Sequence, residues 1–238
     1  MTRRKRLTAP VAWGIPRKRY KWVVSPSPGP HALNRCIPLL IVLRDMLHYC
    51  DNARESKAII RSKKVLVDNR VVKDPGFPIG LMDTVSIPII GEHYRVLLDA
   101  KGRFRLIPIK DKEAHWKLVR IEDKTALKGG RIQLNLSDGR NLLTADSHAT
   151  RDTLKISLPD QGIKDSYPFK EGSVAYLIGG KHVGQVGHID EVFTGRGSRP
   201  NVVRFKEGFS TILDYVFVVG KQKPIVALPE GTAASVVP

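Results

Sequence analysis

Between residues 35 and 87 two helix candidates are followed by a strand–turn–strand and a closing strand, an order that specifies a small αβ module. The first helix candidate is the apolar run 37–47. Pro38 suits its first turn, where a missing N–H costs little, and Leu39, Leu40, Leu43 and Leu47 mark the buried side. The second starts at Asn52, which stands ahead of Glu55 with the spacing of a capping box. Asp68-Asn69 supplies turn chemistry between the β runs 65–67 and 71–72, and residues 80–87 close the module. On the second helix Arg54, Lys57, Arg61 and Lys64 fall within an arc of about 80°, provided the helix reaches Lys64. Lys63 lies beside them, while Ala58 and Ile59 take other bearings and could pack inward. Such a stripe is either a solvated face or a phosphate-tracking surface, because cations in register with a polyanion release its condensed counterions.

Charge balance favours the second reading. The 238 residues carry a formal net charge of +17, and self-repulsion of that size opposes compaction unless a polyanion neutralises it. Nucleic acid or an anionic membrane surface would serve. No apolar run approaches the roughly 20 residues that span a bilayer, and no membrane partner is expected. Apolar residues make up 42%, enough for globular cores. The basic amino terminus has no apolar segment or cleavage site behind it, which argues against secretion. Cys36 and Cys50 form no disulfide framework, and a soluble, reducing compartment fits best.

Residues 1–30 hold Arg3, Arg4, Lys5, Arg6, Arg17, Lys18, Arg19 and Lys21 but no acid, with Trp13, Tyr20 and Trp22 interleaved. Without helical or alternating period, this reads as an extended basic arm that orders on RNA, its aromatics offering stacking faces beside the cations. A solubilising tail is the plainer alternative. From 92 to 167 the chain is β-rich. Hairpin signals stand at Asp99-Ala-Lys-Gly and Ser137-Asp138-Gly139, and Ile132, Leu134 and Leu136 alternate as in a half-buried strand. This region is expected to be scaffold. Between 170 and 220 short β runs are separated by Gly179-Gly180, Gly184 and Gly187, as in a tightly curved small barrel. Its loops place Lys181, His182, Arg196 and Arg199 as candidates for RNA contact.

Catalytic motifs are missing. Gly179-Gly-Lys-His-Val-Gly lacks the spacing and the following Ser or Thr of a phosphate-binding loop. The histidines never fall at H-E-x-x-H spacing, and neither C-x-x-C nor G-x-S-x-G occurs. The reading is of a non-enzyme with no metal, no cofactor and no small-molecule substrate.

Gly29-Pro-His-Ala-Leu, Cys36-Ile-Pro-Leu-Leu-Ile-Val-Leu-Arg and Pro78-Ile-Gly-Leu-Met-Asp-Thr-Val-Ser-Ile are followed by Asp99-Ala-Lys-Gly-Arg-Phe, Val218-Val-Gly-Lys and Leu228-Pro-Glu-Gly. In these stretches and in their order the chain resembles, over almost its whole length, the small-subunit ribosomal protein S4e family of archaea and eukaryotes. The resemblance implies an α+β, multi-domain fold. A basic arm (1–34) would precede an S4-type RNA-binding domain (35–91) and a central β-rich domain (92–168). An SH3-like barrel (169–220) would carry a KOW motif with Gly184 at its central glycine, and a tail (221–238) would follow. It implies a structural and assembly role in the cytoplasm, on the ribosome, with small-subunit ribosomal RNA and neighbouring small-subunit ribosomal proteins as partners. Longer, eukaryotic members continue into a basic helical tail that this chain lacks, which favours an archaeal source. Two other readings stand beside it. One is a KOW-type transcription or translation factor that binds RNA transiently. The other is an RNA-modifying enzyme with an S4-type clamp, whose Arg-Leu-Asp signature does not occur here.

Overall fold

The computed structural model describes residues 3–144, 146–195, 197 and 199–229. Arg3–Lys5 (β1) pairs antiparallel with Trp22–Val24 (β2), and tight 3-10 turns at Arg6–Thr8 and Val11–Trp13 lie between them. The arm is therefore folded back on the body, where the sequence suggested an extended segment. Ala9, Trp13, Ile15 and Val23 supply the apolar surface that makes this possible, and all four join the main core. Trp13 is 1% exposed, and its indole N–H donates to the Cys36 carbonyl at 2.7 Å. Arg6 is as deeply buried; its Nε donates to the Pro16 carbonyl at 2.5 Å, and Nη2 lies 3.6 Å from Asp45. Both were candidates for RNA contact. Their burial instead makes them anchors of the arm.

The αβ module follows. Cys36–Pro38 (β3) leads into Leu39–Ile41 (α1), which widens to a π-helical stretch at Val42–Met46. Residues 39–43 are all fully buried, so this apolar run has no solvated side. The Leu47 N–H reaches back to the Val42 carbonyl at 3.0 Å, and the wider turn leaves Leu47 half-buried rather than in the core. Ala53–Arg61 (α2) begins where the capping box placed it. Asn52 Oδ1 accepts the N–H groups of Arg54 and Glu55 at 2.9 and 3.0 Å, a cap that contributes about 1 kcal/mol. The Glu55 carboxylate takes the N–H of Asp51, one residue earlier than the usual reciprocal bond, at 3.1 Å. The helix stops at Arg61, and Lys63 turns left-handed at φ 60°. Lys64 therefore leaves the stripe, which shortens to Arg54, Lys57 and Arg61. The inward face is Ser56 and Ile60 with Ile59 half-buried, whereas Ala58, expected inside, is exposed.

Leu66–Val67 (β4) and Arg70–Val71 (β5) form a hairpin through Asp68 and Asn69, both at positive φ. Pro78–Gly80 (β6) pairs with β3; Thr84–Ile87 (β7), Glu92–Leu98 (β8) and Phe104–Ile109 (β9) complete an antiparallel sheet of order β5-β4-β7-β8-β9. This sheet crosses residues 91 and 92, where the sequence suggested a boundary.

After the short Asp111–Ala114 helix (α3), a second sheet is built from Trp116–Ala126 (β10), Ile132–Leu136 (β11), Asn141–Thr144 (β12), Thr153–Ser157 (β13) and Ile163–Tyr167 (β14). Its order is β12-β11-β10-β13-β14, and the alternating Ile132, Leu134 and Leu136 face its own small core. The third sheet comprises Val174–Leu177 (β15), Val186–Phe193 (β16), Val202–Phe205 (β17), Ser210–Ile212 (β18) and Val216–Gly220 (β19). In its order, β18-β17-β16-β15-β19, the last strand returns beside the first. Tyr176 docks this sheet on β8: its hydroxyl donates to the Leu98 carbonyl at 2.6 Å and accepts the Leu98 N–H at 2.9 Å. Gly184, at φ 79°, lies so close that a Cβ would stand 2.6 Å from the Asp99 carbonyl. The whole is a mixed α and β fold with few helices and many strands.

Candidate nucleic-acid interface

The exposed cations of the arm lie on its outer side. Lys5, Arg17, Lys18, Arg19 and Lys21 are exposed, Arg4 is half-buried, and the Arg3 backbone pairs with Val24. Arg17 is anchored, one guanidinium nitrogen donating to the Ala9 carbonyl at 3.0 Å. Cations line the exposed aromatics: Arg6 and Arg19 approach the Tyr20 ring at 5.6 and 5.5 Å, and Lys21 approaches Trp22 at 5.5 Å. On α2 and the residues after it, Arg54, Arg61, Lys63 and Lys64 are exposed and Lys57 is half-buried. The fold brings the arm to the entrance of this helix. Arg6, Arg19 and Trp22 meet residues 44–53 around one cavity, where Arg44 and His48, unmarked by the sequence, also stand.

The third sheet contributes separately. Lys181 and Arg199 are exposed. His182 is drawn inward: it stacks on Phe209 at 4.7 Å and its Nδ1 bonds Gln185 at 3.0 Å, which leaves less of the ring for RNA than the sequence reading assumed. Arg196 lies outside the described residues.

Several other cations are not at the surface at all. Lys117, 1% exposed, is held by Asp68 at 2.7 Å, Asp83 at 2.9 Å and Asp138 at 2.7 Å. Arg140 joins Asp68 and, at 3.2 Å, Asp138; His31 bonds Asp83 at 2.7 Å. Burial alone would lower the Lys117 pKa, but Asp83, Asp68 and Asp138 overturn this and hold the ammonium above the ordinary lysine range. Burial likewise opposes ionisation of Asp83, yet His31 and Lys117 keep its carboxyl well below the usual carboxylate range. For His31 the nearby Asp83 outweighs burial and raises the imidazole. This junction ties the arm, the αβ module and the second sheet together. Arg120 ties the second sheet to the third, with Nη1 donating to the Asp214 and Val216 carbonyls at 2.8 and 2.7 Å. Arg95 is fully buried over Trp116 at 4.2 Å, and burial pushes it down to about 10.

The chain is similar to known proteins over almost its whole length. Family descriptions match in chain order: the RS4NT domain over residues 3–34, the S4 domain over 37–85 and Ribosomal family S4e over 90–163. The chain is 48% identical over 231 residues to the small ribosomal subunit protein eS4 of Methanothermobacter thermautotrophicus, covering 95% of this chain and 96% of that one. With its namesake from Methanocaldococcus jannaschii it shares 49% identity over 237 residues, covering 94% and 96%. The crystal structure of the 30S ribosomal protein S4e from Thermoplasma acidophilum superposes with a TM-score of 0.71 at 36% identity, covering 79% of this chain and 96% of that one. Identity this high, sustained almost end to end and matched by the fold, has one meaning: the chain belongs to the ribosomal S4e family.

Proposed function

We propose that this chain is a structural constituent of the small ribosomal subunit, where it binds small-subunit ribosomal RNA and supports subunit assembly in the cytoplasm. The end-to-end similarity to relatives named as small ribosomal subunit proteins carries this reading. Exposed cations on the arm, on α2 and on the third sheet support it, because separate basic surfaces on one chain can hold separate RNA segments. Phosphate contacts from Arg19, Arg54, Lys57 and Arg61 set affinity, and exposed aromatics and RNA shape set position. Ile89 and Ile90, exposed at the β7–β8 turn, offer apolar ground to a neighbouring small-subunit protein.

We read the finer architecture as an arm (1–34), an S4-type domain (35–91), a central β domain (92–168), an SH3-like barrel (169–220) and a tail, with the first sheet shared across residues 91 and 92. The returning last strand of the third sheet and its 3-10 turn at Leu213–Tyr215 support the barrel. Gly184, in its left-handed turn, supports a KOW assignment to residues 171–192.

The test is the salt dependence of binding to small-subunit rRNA. With Arg54→Glu, Lys57→Glu and Arg61→Glu combined, each lost phosphate contact should flatten the slope of log affinity against log salt by roughly 0.7–0.9 units. An unchanged slope would make the stripe a solvated face.

A further inference from the structure

The arm and the loop entering α2 flank an open cleft of about 560 Å³, within the size range of small-ligand sites. We propose that it receives one unpaired nucleotide of single-stranded RNA, with the base against Trp22 and Tyr20 and the phosphate beside Arg19. This rests on the RNA-binding reading and specifies where, and in which form, RNA is held.

Four observations converge. First, the cations approach the two rings without covering them: Tyr20 remains 57% and Trp22 44% exposed, so both offer a face to a ligand. Second, Arg6 lines the cavity and is almost wholly buried, yet its Nη2 has no hydrogen-bond acceptor among the described residues, only Asp45 at 3.6 Å. That nitrogen is shielded from solvent, so Arg6 anchors the cavity wall and favours a phosphate there through its uncompensated charge rather than through a hydrogen bond. Third, Asp45 is paired with Arg44, at 2.6 Å, so the two charges largely offset each other and Arg19 is the exposed cation left to face a phosphate. Fourth, a second cavity of about 370 Å³ shares Arg19, Asp45 and His48 with the first and adds Arg103 and Arg105. Together the two make a groove in which the sugar–phosphate backbone can continue past the bound base.

An A-form duplex does not fit this description. Its bases are stacked inside the helix, and a pocket walled by aromatic rings gains nothing from them. A free anion would leave the aromatics unused. An unpaired base, which can stack, is the group that uses both halves of the site.

Binding of the full chain to a single-stranded oligouridylate and to a blunt RNA duplex of equal length tests the proposal. Trp13 and Trp116 are buried, so the quencher-accessible tryptophan emission belongs to Trp22, and the oligouridylate should protect it. The double variant Tyr20→Ala/Trp22→Ala should lose about 5- to 150-fold in oligouridylate affinity, the range for one stacked base. Its salt slope should stay the same, since no phosphate contact is removed. Tyr20→Phe/Trp22→Phe should restore most of the affinity, and the duplex should bind all three proteins alike. Unchanged oligouridylate affinity in the alanine variant, or an equal loss on the duplex, overturns the pocket. If the parent chain binds duplex and small-subunit rRNA but not oligouridylate, the pocket is overturned and the RNA-binding reading stands. If it binds no RNA, both fall.

Discussion

Lys117→Met should lower folding stability by about 3–5 kcal/mol, the range for a buried ion pair deprived of one partner. Methionine nearly preserves the volume, so the loss isolates the charge. Asp68, Asp83 and Asp138 would then face one another with only Arg140 and His31 to offset them. Denaturant unfolding across a pH series supplies the measurement and a signed check. In the parent protein the depressed Asp83 carboxyl gives stability that is present above its unfolded pKa of about 3.9 and is lost as the pH falls through the lower folded value. The raised His31 gives stability that is fully present below its unfolded pKa of about 6.5 and is lost as the pH rises through the higher folded value. These two contributions overlap fully between about pH 4 and 6.5. In the variant, protonation of a carboxylate relieves repulsion, so the gap from the parent should narrow as the pH falls from 7 towards 4. A loss below about 1 kcal/mol, with parallel pH profiles, would mean that the cluster is solvated and holds nothing together.

Trp13→Ala should cost a similar amount, about 3–5 kcal/mol, for a different reason. The indole fills the space between arm and αβ module, and its removal leaves both a cavity and an unpaired Cys36 carbonyl. The arm should detach, so trypsin should cut at Arg17, Lys18, Arg19 and Lys21 much faster than in the parent. Trp22→Ala, at an exposed ring, should stay within about 0.5 kcal/mol of the parent. Thermal unfolding and timed proteolysis of the two variants check this. Equal behaviour would mean that the arm is not docked through Trp13.

The two tryptophans also mark how far the sequence could be read. Local signals were legible where chemistry lies within a few residues: the Asn52 cap, the Asp68-Asn69 turn, the alternation in β11 and the close-packed glycine at 184. The arm was not legible, because its packing depends on apolar residues at irregular spacing that meet a core formed far along the chain. Trp13 and Trp22 look alike until Cys36 is known to lie beside one of them. Charge misled in the same way. Lys117, Arg95 and Arg120 count towards the net +17, yet they are internal ties rather than RNA-facing cations. The stretches that carry the family resemblance prove to be largely junction parts. His31 and Asp83 bond each other, Gly80 passes so close to His31 that a Cβ would overlap its ring, and Gly139 packs on the Pro30 carbonyl. Within the candidate interface, Arg54, Lys57 and Arg61 could be found by helical spacing. Arg44 and His48 could not, since only the arm's return turns their loop into a pocket wall.

Residence in the small subunit is tested most directly by sedimentation of a native lysate through a sucrose gradient at high salt, with immunodetection of the chain. Recovery with the small ribosomal subunit, persisting through the salt wash, is the expected result. Recovery at the top of the gradient would contradict it and leave a transient RNA-binding factor as the better description.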